Sequence, residues 1–167
     1  NSIAMIKSAI LTKTKWLGEY PYNVVSVVDG GNGGGMEYPT ITILDDGGSE
    51  KMLDFVINHE VGHNWFEAIL GTNERKHPWM DEGMNTYYDN RFQAQANANE
   101  GRKAYKQSSL QKKLPQNAGK ILMETLEAMK KDQPIELPSN EYTEANYGLV
   151  TYFKAGEWMK KLELFLG

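Results

Sequence analysis

The segment His59-Glu60-Val61-Gly62-His63 has the residue types and the spacing of a zinc site with its own base. Histidines four residues apart share one face of an α-helix, where two imidazoles can bind one ion at roughly 2.0–2.1 Å each. Glu60 then points to a neighbouring face, from which its carboxylate reaches water on the metal and not the metal itself. The pattern therefore predicts a zinc ion with a carboxylate general base beside it.

Glu82, in the segment Trp79-Met80-Asp81-Glu82-Gly83, is the predicted third ligand. Eighteen residues separate it from His63, enough for one helix to end, a loop to turn and a second helix to return antiparallel. Two histidines and one glutamate leave the fourth position of the ion to water, as in catalytic zinc sites and unlike closed structural ones. The cofactor prediction is one zinc ion bound by His59, His63 and Glu82.

The composition favours a soluble globular protein. Of the 167 residues, 40% are hydrophobic and 24% are charged, which is ordinary for one domain with a sizeable core. A net charge of -4 and the dispersed lysines argue against nucleic acid as a partner. The chain contains no run of about 18 apolar residues, so we expect no transmembrane segment.

The cysteine count and the start of the chain bear on its origin. The chain has no cysteine, which excludes disulfides and thiolate chemistry and leaves the cellular compartment, cytoplasmic or exported, open. It begins at Asn1-Ser2-Ile3 without an initiating methionine or a secretory segment. We therefore expect it to have been excised from a longer protein.

Hydrophobic periodicity and turn residues predict an α+β domain that is mostly helical, with a small sheet before the zinc helix. Two strands are expected, at 22–28 and 40–44. The zinc helix is expected at 51–70 and the returning helix at 81–98, with Asp81 as its N-cap. The other predicted helices are 1–17, 101–113, 118–131 and 143–166, with an extended loop at 134–140.

Four landmarks resemble, in order, those of the aminopeptidase N family of gluzincin metallopeptidases, which also includes a bifunctional leukotriene hydrolase. They are Gly34-Gly35-Met36-Glu37-Tyr38, His59-Glu60-x-x-His63, Glu82, and Tyr152-Phe153-Lys154, and the resemblance spans roughly residues 22–162. It implies a single thermolysin-like zincin catalytic domain over 1–167 that acts on peptides. In the full-length protein an N-terminal β-domain and a C-terminal helical domain, both absent from this chain, would flank it.

The resemblance also implies a role for each landmark residue. His59, His63 and Glu82 match the metal ligands, and Glu60 matches the base. Tyr152 matches the tyrosine whose hydroxyl donates to the oxyanion, a donor typically worth roughly 10²–10³ in rate. The substrate-binding positions are Gly34, Gly35, Met36 and Glu37, of which Glu37 matches the glutamate that binds the free α-amino group.

Departures from the family pattern keep other functions open. Tyr38-Pro39 stands where the family has an asparagine, and Gly156 lies one place later than in the family's Tyr-x-Lys-Gly. A zinc endopeptidase or an epoxide-hydrolase-like activity is therefore one alternative. A zinc-binding domain without turnover when isolated is the other.

Three further features receive structural interpretations. The glycine run 30–35 is not followed by a phosphate-binding Gly-Lys-Ser/Thr or by a helix, and we expect it to let backbone approach a bound peptide or to form a flexible hairpin. His77, before Pro78, is expected to be a structural loop residue. Tyr147 lies five residues before Tyr152, about 140° around an α-helix, so the two rings are not expected to share a face unless the helix begins between them, and Tyr147 is only a supporting candidate.

Overall fold

The computed structural model describes residues 2–31, 34–45, 48–98 and 118–167. The chain forms two compact units, Asn1–Thr72 and Asn73–Gly167. Helices dominate the described residues and a small sheet accompanies them, which confirms the predicted α+β class. The predicted helix at 101–113 lies outside the described residues. Within the described ranges, no helix is both long enough and apolar enough to cross a membrane.

The helices of the first unit are α1, Ser2–Leu17, and α2, Glu50–His63. The Ser49 side chain caps α2 by accepting a hydrogen bond from the Met52 backbone nitrogen at 3.2 Å, as serine at this position commonly does. The two helices pack on each other, and their core includes Ala9 on α1 with Ile57 and Val61 on α2, all fully buried. The metal-site motif therefore lies on a helix with a buried apolar face.

A three-stranded mixed sheet completes this unit, with strands β1 (Ser26–Asp29), β2 (Gly35–Met36) and β3 (Ile41–Leu44) in the order β1-β3-β2. Strand β3 runs parallel to β1 and antiparallel to β2. Along β3, Thr42 and Leu44 are buried while the alternate isoleucines are exposed. This period of two is that of a strand with one covered face, and β3 contacts α2.

The predicted sheet was correct in kind but not in detail. The strand predicted at 22–28 begins only at Ser26, and the one predicted at 40–44 is Ile41–Leu44. Strand β2 was not predicted because it is two residues long and begins with the last glycine of the glycine run. A pair this short has no alternation to detect.

The helix predicted at 51–70 changes type at its middle. After His63, which ends α2, the chain continues as a π-helical turn, Asn64–Ile69, before Gly71. Gly71 has a φ of 63°, which is the left-handed conformation that glycine adopts readily at the end of a helix. The prediction was right about the extent of the helix but had no means of detecting the π-turn.

The regular elements in the described part of the second unit are all helical, and loops connect them. A π-helical turn, Trp79–Gly83, leads into α3 (Met84–Ala98), and Asp81 lies inside this turn instead of capping the helix as predicted, because the turn begins after Pro78. The predicted helix at 143–166 is one continuous helical run of three segments, in which a π-helical stretch that we call the tyrosine segment, Tyr147–Lys154, lies between two α-helical ones. The remaining elements are α3 Met84–Ala98, α4 Ala118–Ala128, the 3₁₀ turn Ser139–Glu141, α5 Glu144–Asn146 and α6 Ala155–Leu166.

The loop before Trp79 is tied to the loop after α4 by one carboxylate. Glu136 accepts hydrogen bonds from the Trp79 indole and from His77 Nδ1, the latter at 2.5 Å. His77 is thus a structural residue in this unit. The bond from Trp79 has the largest effect on the pKa of Glu136 and lowers it below the ordinary value near 4.5. Burial opposes this effect, and the bond and charge of His77 each lower the pKa by less.

We expect this tie to stabilise the fold near neutral pH and to be lost in acid. A carboxyl whose pKa is lowered in the folded state stabilises it above the unfolded-state pKa, and this contribution disappears as the pH falls through the folded-state pKa. Urea unfolding of the wild type and of Glu136→Gln should therefore show a difference in unfolding free energy at pH 6 that shrinks below pH 4. Trp79→Phe should remove most of the same pH dependence. A difference that stays constant from pH 7 to pH 3 would show that the tie has no energetic role.

Candidate active site

Helix α2 brings the two histidines of the motif into the geometry of metal ligands. The Nε2 atoms of His59 and His63 lie 3.2 Å apart, and the rings are 4.8 Å apart at an interplanar angle of 89°. Two ligand atoms bound tetrahedrally at 2.0–2.1 Å would be separated by about 3.3 Å. The spacing of the imidazole nitrogens, and their chemistry, therefore fit a zinc ion.

Packing fixes both rings. The His63 side chain is buried, and the ring of His59 stacks on Phe55 with centroids 6.2 Å apart and an interplanar angle of 19°. A side chain held in one rotamer loses less freedom on binding a ligand. The histidine pair is therefore largely arranged before a metal arrives.

Asn64, directly after His63, anchors the end of the helix to the sheet. Its side-chain nitrogen donates to the Val61 carbonyl at 3.0 Å, and its oxygen accepts a hydrogen bond from the Thr40 backbone nitrogen at 2.9 Å. Asn64 is buried, so both bonds are shielded from water. The sequence reading missed this residue, although a polar residue directly after the ligand histidine on a buried helix face was the available signal.

Thr40, which Asn64 binds, belongs to a turn that gives Tyr38 and Pro39 a structural role in place of the family's asparagine. The carbonyl of Tyr38 accepts a hydrogen bond from the Ile41 nitrogen at 3.0 Å, and Thr40 has a φ of 65°. Proline at the second position and a positive φ at the third are the features of a type II turn. Tyr38 and Pro39 thus form a turn between β2 and β3, and the Tyr38 side chain is half exposed.

Two carboxylates gather beside His63 within the first unit. One oxygen each of Glu37 and Glu60 and one ring nitrogen of His63 all lie within 4.8 Å of one another. Gly35 allows this, because a Cβ built on it would overlap the Glu60 carboxylate. The structure therefore brings the predicted base and the predicted amine-binding glutamate to the same histidine.

A cavity of about 350 Å³ opens beside this cluster. This is at the lower end of the range for small-molecule sites. Most of its wall is apolar, and two carboxylate residues, Asp45 and Glu60, contribute to it. Of the predicted substrate-binding positions, Gly34 and Gly35 line this cavity, whereas Met36 pairs with Ile43 in the sheet. The lining residues are Gly34, Gly35, Asp45, Met52, Phe55, Val56, His59 and Glu60.

In the second unit, the structure brings Glu82 and Tyr152 together. Glu82 lies in the π-turn Trp79–Gly83 and is 7% exposed. The Tyr152 hydroxyl donates a hydrogen bond of 2.6 Å to Glu82 Oε1. Bonds to a ligand carboxylate of this kind orient it and tune its basicity. The family resemblance did not lead us to expect this bond.

The rings of Tyr147 and Tyr152 are in contact, contrary to the prediction. Their centroids are 6.0 Å apart and the planes meet at 70°. The prediction assumed α-helical geometry, whereas the tyrosine segment is π-helical. Bonding between residues i and i+5 in a π-helix brings residues five apart onto nearly the same face.

Two glycines let the Glu82 turn and the tyrosine segment approach closely. A Cβ on Gly83 would collide with the Ala155 side chain and would lie 2.8 Å from the Thr151 carbonyl. A Cβ on Gly156 would lie 3.2 Å from the Thr86 methyl group. The sequence reading gave these glycines no role, although Gly83 directly follows the ligand candidate. Their small size supports the short bond between Tyr152 and Glu82.

Comparison with known proteins places the chain in a family. Residues 11–167 match the model of the peptidase family M1 domain, so nearly the whole chain is covered. The chain belongs to peptidase family M1, the aminopeptidase N family that the sequence landmarks resemble. This match confirms the prediction, made from the sequence landmarks, that the chain is a member of this metallopeptidase family.

Individual relatives are distant aminopeptidases. The chain is 31% identical over 91 residues to leucine aminopeptidase 2 of Phaeosphaeria nodorum, covering 53% of this chain and 14% of that protein. It is 27% identical over 118 residues to the alanine/arginine aminopeptidase of Saccharomyces cerevisiae, covering 67% of this chain and 12% of that protein. The chain thus spans about an eighth of the length of these relatives. No solved structure matches it.

The close approach at Gly83 predicts a sharp difference between two glycine substitutions. Gly83→Ala should lower the free energy of unfolding by about 1–3 kcal/mol, because the added methyl meets a backbone carbonyl and a fixed side chain. Gly148→Ala is the matched control, because a Cβ at Gly148 meets nothing within 4 Å. It should leave stability unchanged or raise it by about 0.5–1 kcal/mol. Urea unfolding measures both, and equal effects of the two substitutions would contradict the packing described.

Proposed function

We propose that this chain is the zinc-dependent catalytic region of an aminopeptidase that removes N-terminal residues from peptides. The observation that supports it most directly is the pair of imidazole nitrogens 3.2 Å apart on α2, with the Glu60 carboxylate beside His63. Membership of peptidase family M1 and the printed names of the relatives agree with this activity. The names themselves describe only those relatives.

In this proposal His59, His63 and Glu82 hold one zinc ion. The ligand set is two imidazoles and one carboxylate, which leaves a position for water and suits a catalytic centre. When bound, zinc would lower the pKa of water at the open position towards about 7 and would polarise the scissile carbonyl. The bond from Tyr152 to Glu82 supports the assignment, because a ligand carboxylate needs an orienting partner.

Glu60 is the proposed general base. Its carboxylate takes the proton as the water oxygen bonds to the peptide carbonyl carbon, and returns that proton to the leaving amine nitrogen as the C–N bond breaks. The proton balance closes within one turnover, so no other acid is needed. Glu60 is 6% exposed and faces the backbone of Gly35, so its position is confined on one side.

Tyr152 is proposed to donate to the substrate carbonyl oxygen as negative charge develops there. A neutral hydroxyl can donate without first losing a proton, and one such donor is typically worth roughly 10²–10³ in rate. In the structure the one hydroxyl hydrogen bonds Glu82 Oε1, so this role requires it to turn from that carboxylate to the substrate oxygen. The contact with Tyr147 restrains the ring on one side.

Glu37 is proposed to bind the free α-amino group of the substrate. An ammonium group recognised by a carboxylate close to Glu60 would place the first peptide bond at the catalytic centre. Gly34 leaves space for substrate backbone beside it, since a Cβ there would meet nothing within 4 Å. Gly35 and Met36 form the strand that follows, and the space of the missing Gly35 Cβ is taken by Glu60. The cavity bounded by Met52 and its neighbours would receive a substrate side chain.

The proposal also covers the domain organisation of this chain and of the full-length protein. We infer a single thermolysin-like zincin domain over 1–167, with an N-terminal β-domain and a C-terminal helical domain as its partners in the full-length protein. The relatives are about eight times as long as the regions that match this chain. This difference in length agrees with the presence of further domains in the full-length protein.

Replacing the base should separate zinc binding from hydrolysis. Glu60→Gln should keep one zinc per chain by metal analysis, because Glu60 is not a proposed ligand. It should lower kcat for amino-acid anilides by about 10²–10⁴, the usual contribution of a general base. Glu50→Gln, at the exposed first turn of the same helix, is the control and should keep full activity. Retained hydrolysis by Glu60→Gln would remove Glu60 from the mechanism, and a zinc-loaded but inactive wild type would favour the binding domain without turnover.

Because Tyr38-Pro39 departs from the family's sequence pattern, the aminopeptidase activity should be tested against the endopeptidase and epoxide-hydrolase-like alternatives. An aminopeptidase should cleave free-amine peptides at least tenfold faster than their N-acetylated counterparts, because the acetyl group removes the charge that Glu37 binds. Glu37→Gln should erase most of this preference, chiefly through KM for the free-amine substrates. Rates on both substrate sets, measured with wild type and variant, provide the test. Cleavage of the blocked peptides alone would instead identify an endopeptidase, and hydrolysis of an epoxide without peptide cleavage would identify an epoxide-hydrolase-like enzyme.

A further inference from the structure

We propose that Lys154 is a positioning residue that holds the tyrosine segment in its π-helical form and so aligns the Tyr152 hydroxyl. This inference rests on the proposed function only for the catalytic role of Tyr152. The clamp itself is a property of the second unit and can be tested without catalysis.

Lys154 forms two ion pairs at the C-terminal end of the tyrosine segment. Its Nζ lies 3.1 Å from Asp132 Oδ2 and 3.3 Å from Glu127 Oε1, and its side chain is only 21% exposed. Partly buried pairs are screened less by solvent than those on the open surface. The ammonium group therefore binds the last helical residue of the segment to both the end of α4 and the loop that follows.

The N-terminal end of the segment is tied to the same place. Asn146, directly before the segment, donates a hydrogen bond of 3.0 Å from its side-chain nitrogen to the Lys131 carbonyl. Lys131 and Asp132 are neighbours, so both ends of the tyrosine segment are held by one short stretch of chain. That stretch is itself fixed, because the Lys131 nitrogen bonds to the Leu126 carbonyl at 2.9 Å and Lys130 has a φ of 55°.

A segment held at both ends resists a change of helix type. π-helical turns are rare and occur frequently at functional sites, so something must hold this one against the commoner α-helix. In an α-helix five residues span about 140° beyond one full turn, so a switch would separate the rings of Tyr147 and Tyr152. It would also move the Tyr152 hydroxyl away from Glu82. The ion pairs of Lys154 oppose that switch.

The positive charge of Lys154 is the property by which it holds the tyrosine segment in place. Glu127 and Asp132 both face the ammonium group, so its removal would leave two carboxylates close together without the cation between them. Arginine could still bridge them, because it is a long cation with several donors. Methionine has a similar length but no charge. Comparing Lys154→Arg with Lys154→Met therefore separates the effect of the positive charge from the effect of side-chain packing.

The first test is kinetic and uses the zinc-loaded protein. Lys154→Met should lower kcat about tenfold, part of the roughly 10²–10³ that one oxyanion donor provides, with KM changed less than twofold. Lys154→Arg should restore most of the activity. The matched control is Lys160→Met, which removes an exposed lysine on α6. Equal losses in the Lys154→Met and Lys160→Met variants, or no loss in either, would overturn the proposal.

A double substitution shows whether Lys154 acts through the tyrosine. Residues that act as one unit are not additive, so Lys154→Met should cost little further activity in a Tyr152→Phe background. A full tenfold loss in that background would mean that Lys154 acts elsewhere, which would overturn the positioning role.

A second readout does not depend on activity. Amide hydrogen exchange of metal-free protein should show faster exchange in residues 147–154 for Lys154→Met than for wild type, Lys154→Arg or Lys160→Met. Unchanged exchange there would refute the clamp. Faster exchange together with a fully active Tyr152→Phe would instead refute the proposed catalytic role of Tyr152 and leave the clamp supported.

Discussion

The single turn of α-helix between His59 and His63 is the constraint on which the rest of the site depends. It sets the imidazole nitrogens at 3.2 Å, close to the separation that a tetrahedral ion requires. Much of the first unit serves to keep that turn in place: α1 packs on its apolar face, β3 covers another side, and Asn64 joins its end to Thr40. The apolar core of the first unit thus fixes the positions of the polar side chains of the site.

Helix type is the second theme. Each π-helical segment of the described residues adjoins or contains a proposed site residue: Asn64–Ile69 follows His63, Trp79–Gly83 contains Glu82, and Tyr147–Lys154 contains Tyr152. Such π-helical turns are rare in proteins and occur frequently at functional sites. Their effect here is to change which side chains share a face.

The sequence predicted the parts of the structure that follow local rules. The position of His59 and His63 one turn apart on helix α2 followed from their spacing, and the α+β class followed from periodicity along the chain. The contact of Tyr147 with Tyr152 could not be predicted, because a π-turn shows no distinct pattern in residue type. The roles of Gly83 and Asn64 were also missed, because both depend on residues distant in sequence, Ala155 for one and Thr40 for the other.

The central claim, that two imidazoles and one carboxylate of this chain hold a zinc ion, is tested most directly by X-ray absorption at the zinc edge. The protein loaded with one equivalent of zinc should show the multiple scattering of two imidazoles. The remaining first-shell scatterers should be oxygen at about 2.0–2.2 Å. His63→Ala should reduce the imidazole count by one, and Glu82→Ala should remove an oxygen while leaving both imidazoles. A spectrum without imidazole scattering, or one that neither substitution changes, would contradict the account.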